Sequence, residues 1–235
     1  MFNPGKTPRL QEILGDIPRH GYRGELFPEA GSENLHRWAL CLSREFGARG
    51  GTIARQLAKK LGWQIYEREM LEYMARTPAV FEELQQLAGP QAREWADSQW
   101  DLLKGEKLVV QEGEIGELAR VILLVSYLGN IIFVGGGAGF LLPPANRVHV
   151  RIISSFEERA AYVCQYDRLT QAEAGLKVRR MDEKRDGFLI SHFPLMKDPV
   201  HCFDLIINSE TLGLETCLNS LHNLMQAKMG KVRKG

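Results

Sequence analysis

Residues 43–62 read SREFGARGGTIARQLAKKLG, a glycine-rich turn set between a short apolar run, WALCL (Trp38–Leu42), and a helical pattern. Nothing else in the chain restricts its fold as much. Ile53, Leu57 and Leu61 recur at helical spacing, and Gly62 supplies the stop. Glycines between a strand and a helix let backbone N–H groups converge at the positive end of the helix, which is how such a turn holds a phosphate. Turns of this composition also arise for steric reasons alone, and composition leaves both readings open. Thr52 offers a hydroxyl for Mg²⁺ at the helix start. The lysine that usually accompanies such a loop is missing: Gly50 stands in its place, and Arg49 stands where a glycine is usual. An arginine there can grip phosphate through two N–H groups.

The same pattern continues downstream. WQIY and the helix EREMLEYMAR follow the first helix, and residues 77–116 form a polar, helix-favouring insert broken at Gly89-Pro90. Its tryptophans, Trp95 and Trp100, read as packing residues. A helix over about 115–128 then leads to the strand NIIFVG, the loop GGGAG and the strand RVHVRII (Arg147–Ile153). Ser155 with Glu158, and Thr170 with Glu173, have capping-box spacing ahead of two helices. FDLIIN (Phe203–Asn208) and a helix from about Leu212 complete the series. Five strands alternating with helices predict a parallel sheet covered on both faces, an α/β fold in three layers.

The 30 basic and 29 acidic residues leave a net charge of +1, too little to hold nucleic acid or an anionic membrane through bulk charge. A phosphate ligand must be captured locally. Cys41, Cys164, Cys202 and Cys217 are far apart, which argues against a zinc knuckle or a disulfide framework and fits a cytoplasmic protein. The apolar stretch Leu118–Leu142 is interrupted by Gly129-Asn130 and by a triple glycine, so it reads as helix, turn and strand rather than as a membrane span. The six histidines show no metal-ligand spacing and are expected to be structural.

Three segments, SREFGARGGTIARQLAKKLGWQIYEREMLEYMA, IIFVGGGAGFLLP and FDLIINSETLGLE, together resemble the cytidylate kinase-like family, a branch of the P-loop nucleoside monophosphate kinases. Members of that family also lack the loop lysine. The resemblance implies a P-loop NTPase fold with a mainly parallel five-stranded sheet and a kinase-like domain over 36–228. It implies an acceptor-binding helical insert (77–116) and a lid region (168–200), flanked by an irregular extension (1–35) and a basic tail (229–235). It implies ATP and Mg²⁺ as cofactors, with Gly47, Ala48, Arg49, Gly50, Gly51 and Thr52 around the donor phosphates and Asn208 near the donor base. Glu67 and Arg68 match the family's Asp-Arg pair and would face the acceptor nucleotide, of the cytidine monophosphate kind, or its metal. Gly136, beside Gly137, replaces an arginine of the family's GRGA. The segment RRMDEKRD resembles the family's lid helix, with Arg180 and Arg185 as candidate catalytic cations beside Arg49. Two readings follow: an ATP-dependent kinase of a nucleoside monophosphate or other small acceptor, or a degenerate kinase-like relative that binds a nucleotide or phosphorylated ligand without turnover and serves as a sensor or interaction protein. A homodimer is left open.

Overall fold

The computed structural model describes residues 37–110, 115–193 and 199–232. The extension 1–35, the end of the basic tail and short parts of the insert and lid segments lie outside the described residues. The chain runs β1 (Ala39–Arg44), α1 (Gly50–Leu61), β2 (Gln64–Glu67), α2 (Arg68–Arg76), α3 (Pro78–Gly105), α4 (Ile115–Tyr127), β3 (Ile131–Val134), α5 (Ala138–Leu141) and β4 (Arg147–Ile153). It then forms α6 (Phe156–Asp167), α7 (Gln171–His192), β5 (Leu205–Asn208) and α8 (Ser209–Val232).

The five strands form one sheet in the order β2-β3-β1-β4-β5, and every pairing is parallel. Strand alternation sorts the side chains to two faces. Ala39, Cys41, Ile131 and Phe133 point to a core shared with α2, α3 and α4. Leu40, Leu42, Ile132, Val134, Val148 and Val150 point to a core closed by α1 and α8. This is the three-layer α/β/α arrangement that the strand and helix alternation predicts. The buried strands carry apolar residues on both faces, which is why they read as continuous apolar runs.

The long apolar stretch resolves into α4, a turn at Gly129 and β3. No helix among the described residues is long and apolar enough to cross a membrane. The insert folds as α3, kinked at Gly89 (φ 83°), with Trp100 buried and Trp95 tilted against the Tyr127 ring. Parallel register brings the carboxyl ends of β1, β2 and β3 level, with Leu42 and Glu67 both opposite Val134. The crevice beyond such strand ends is where open α/β sheets place ligands.

Candidate active site

The glycine turn leaves β1 at Arg44 and enters α1 at Gly50. Glu45 N–H donates to Ile152 O at 3.1 Å, and Ala48 N–H folds back onto Glu45 O at 3.3 Å. Gly47 has φ +86°, and a Cβ there would stand 2.8 Å from Arg159 O, so this position needs glycine twice over. Arg49 is the N-cap in left-handed conformation (φ 58°), and no side chain caps the helix. As the first three residues of the helix, Gly50, Gly51 and Thr52 have N–H groups without an intrahelical acceptor, which fits a phosphate cradle.

Long-range contacts hold the turn in this shape. The buried Arg159 of α6 donates to Ser154 O (3.1 Å) and Phe46 O (3.1 Å) and pairs with Asp182 of α7. Asp182 also accepts from Phe46 N–H at 2.8 Å. Ser209 Oγ donates to Ala48 O at 3.0 Å from the start of α8.

Beside the turn lies a cleft of about 210 Å³, walled by Arg44, Arg68 and Glu69 of β1 and α2, by Gly135–Gly137, and by Asp182, Lys184 and Arg185 of α7. One water takes up roughly 10–15 Å³, so the cleft accepts an organic molecule rather than a lone ion. No residue of α3 lines it. Its cations come from separate elements: Arg44 of β1, Arg68 of α2, Arg151 of β4, and Lys184 and Arg185 of α7. Burial, and the charge of Arg44 after it, lower the pKa of Arg185 to about 10. Burial likewise lowers Arg44. Both shifts record positive charge gathered where water is scarce.

The sequence model of the cytidylate kinase-like family matches residues 39–211. The chain belongs to the cytidylate kinase-like family. Among solved structures, an uncharacterized protein from Eubacterium ventriosum has TM-score 0.63 at 15% identity, covering 81% of this chain and 99% of that one. This likeness shows the shared fold. A shikimate kinase from Bacteroides thetaiotaomicron has TM-score 0.42 at 13% identity, covering 80% of this chain and 98% of that one. A gluconokinase from Sinorhizobium meliloti has TM-score 0.43 at 9% identity, covering 81% and 95% respectively. No curated protein matches the chain by sequence.

The structure gathers some of the family positions and separates others. Arg68, Gly136, Gly137 and Arg185 all line the cleft. Arg68 pairs with Glu72 and lies 4.1 Å from the Phe188 ring centroid, so α2 and α7 meet through it. Glu67 turns to Arg55, at 2.9 Å. The Arg55 guanidinium in turn covers the start of α1, with Nη1 3.5 Å from where a Cβ on Gly51 would stand. Arg185 donates to Arg44 O at 3.1 Å. Arg180 is exposed and outside the cleft lining, because two residues along a helix from Asp182 lie on nearly the opposite side. The Arg49 guanidinium bonds to Glu158 and lies over the Tyr162 ring, also outside the lining. Asn208 Oδ1 accepts from the N–H groups of Glu210 and Thr211, a helix cap. Gly136 has φ +69°, and its Cβ would face Leu71 and Ile122, so a side chain there would start toward apolar neighbours.

For metal, no three His, Cys, Asp or Glu side chains cluster among the described residues. The kinase-like chain would therefore hold Mg²⁺ mainly through bound phosphates, with the Thr52 hydroxyl as the protein donor.

Three residues that shape this region were not singled out from the sequence: Arg44, Arg159 and His149. Arg44 lies in the quoted motif, but its place was hidden until β1 met the glycine loops. Arg159 carries a weak signal, since it shares the inward face of α6 with Ala160 and Val163. His149 is buried on β4: its Nδ1–H donates to Cys202 O (3.0 Å), and Nε2 accepts from Ser43 Oγ (3.0 Å). A Cβ on Gly139 would collide with this ring at 2.2 Å, so Gly139 gives the histidine its room. Burial first, then the Arg147 charge, lowers its pKa to about 3, so the ring is neutral.

Proposed function

We propose that the protein is an ATP-dependent phosphotransferase acting on a small anionic acceptor, with a nucleoside monophosphate as the first candidate. One observation carries this reading: an organic-sized cleft beside an uncapped glycine turn is walled by arginines from four elements of the chain. Phosphoryl transfer asks a protein mainly for positioning and for charge on the phosphate oxygens. The N–H groups of Gly50, Gly51 and Thr52 would hold the donor phosphates, and Thr52 the metal. MgATP, when bound, supplies the phosphoryl group. Arg68 and Arg185 would hold the acceptor, and α7 acts as the lid, closing its cations over the cleft. Lid closure also removes water, which strengthens every charge inside.

The loss of the loop lysine and of an arginine at Gly136 favours a second reading, a binder without turnover. Steady-state turnover separates the two. ADP formation from MgATP, stimulated by cytidine monophosphate or another nucleoside monophosphate, is the expected result. MgATP binding with no ADP release over a panel of phosphorylated acceptors would leave the binding reading standing.

A further inference from the structure

We infer that Arg44, reaching in from β1, carries the charge that the glycine turn lacks at position 50. The inference rests on the phosphotransferase reading above and names the residue that makes its loop work. A Cβ added to Gly50 would stand 2.8 Å from Arg44 Cβ, 3.0 Å from Cγ and 3.3 Å from Cδ. The stem of Arg44 therefore lies along the first residue of α1, in the space a side chain at position 50 would need. A lysine there and an arginine at 44 exclude each other. The missing lysine and the placement of Arg44 are one feature seen from two sides.

The guanidinium continues across the crevice. Its Nη1 lies 2.6 Å from where a Cβ on Gly135 would stand, so Gly135 is bare because Arg44 fills its side. The charge thus sits between the turn after β1 and the turn after β3, in the cleft wall. A group transferred from a donor on the first turn to an acceptor in the cleft passes this point. Among the described residues, none takes a hydrogen bond or a close ion pair from this guanidinium. Glu69 and Glu67 lie near enough to favour its charge without contacting it, while Arg55, Arg68 and Arg185 oppose it. Its N–H groups are thus left for a ligand, and the fork of an arginine matches two phosphate oxygens at once. The Arg44 carbonyl is also the acceptor for Arg185, so the same residue docks the lid.

Calorimetric titration of the full chain with MgATP, and separately with inorganic tripolyphosphate, tests this. Arg44→Met keeps the stem and removes the charge; Lys60→Met, which removes an exposed charge bonded to Asn219 at the far end of α1, is the control. The expected loss for Arg44→Met is at least about tenfold in affinity for both ligands, about 1.4 kcal/mol, with Lys60→Met unchanged. Arg44→Lys retains part of the affinity. Opening the space with Arg44→Ala and adding Gly50→Lys recovers binding relative to Arg44→Ala alone, whereas Gly50→Lys alone lowers the melting temperature.

Wild-type turnover together with unchanged binding by Arg44→Met would overturn the inference and leave the phosphotransferase reading in place. Arg44-dependent tripolyphosphate binding without any turnover would do the reverse. Should Arg44→Met fail to fold, the Arg44→Lys and double variants decide. A wild type that binds neither ligand would remove both.

Discussion

Two arginines five residues apart, Arg44 and Arg49, bound the same turn and meet opposite fates. Arg49 is exposed and already satisfied, by the Glu158 carboxylate and the Tyr162 ring. Arg44 is folded between two glycine turns, among both carboxylates and arginines but in contact with no carboxylate among the described residues. From sequence, Arg49 looks like the phosphate ligand because it sits inside the loop. The structure gives Arg49 a protein partner and gives Arg44 a cleft. A charge that the fold already pairs in contact has little left for a ligand, whereas a largely buried charge with no carboxylate in contact gains more from one.

The largest effect expected from breaking this arrangement lies in the contacts that hold the turn rather than in either arginine. Arg159→Met leaves Asp182 and Glu45 without their shared cation and frees Phe46 O. Removing one partner of a buried ion pair costs about 3–5 kcal/mol. Urea unfolding should show a loss of that order, and a loss under about 1 kcal/mol, the range of surface pairs, would mean the turn holds its shape without α6.

His149 sharpens the contrast, because it is a buried base that can shed its charge. Its folded pKa of about 3 lies below the ordinary 6.5. Between those values the unfolded chain binds the proton and the folded chain does not. Stability from this group is therefore whole above about pH 6.5 and drains away toward pH 3, at about 1.4 kcal/mol per pH unit. The unfolding free energy of His149→Gln should fall less steeply over that window than that of the wild type. Parallel curves would show that the ring is protonated in the folded protein.

The smallest effect belongs to Arg49→Ala. It removes an exposed ion pair worth about 0.2–1 kcal/mol, and its left-handed backbone is equally strained with alanine. MgATP affinity should change by less than about threefold, under 0.7 kcal/mol.

Much of the fold was legible because local signals and global packing agree. RVHVRII is β4 residue for residue, Gly62 is the left-handed cap of α1, and Thr170 with Glu173 forms the capping box ahead of α7. Where tertiary packing rules, the sequence fell short. The helix that Thr170 opens runs on past Gly187 to His192, since Phe188 and Leu189 pack onto the core of α2 and α4. The last helix begins at Ser209 with a kink at Gly213. Ser155 caps α6 as its spacing predicts, but Glu158 turns its carboxylate to Arg49. The site was less legible for one physical reason: its partners are far apart in the chain. Arg44 meets Gly135, and Arg159 meets Phe46, only after the sheet has formed. No local periodicity encodes those meetings.

The most direct test is a side-by-side MgATP titration of the wild type, Arg44→Met and Arg49→Ala. Saturable wild-type binding, lost in Arg44→Met and kept in Arg49→Ala, is the predicted result. Binding kept in Arg44→Met and lost in Arg49→Ala would contradict the account and return the charge to the loop itself.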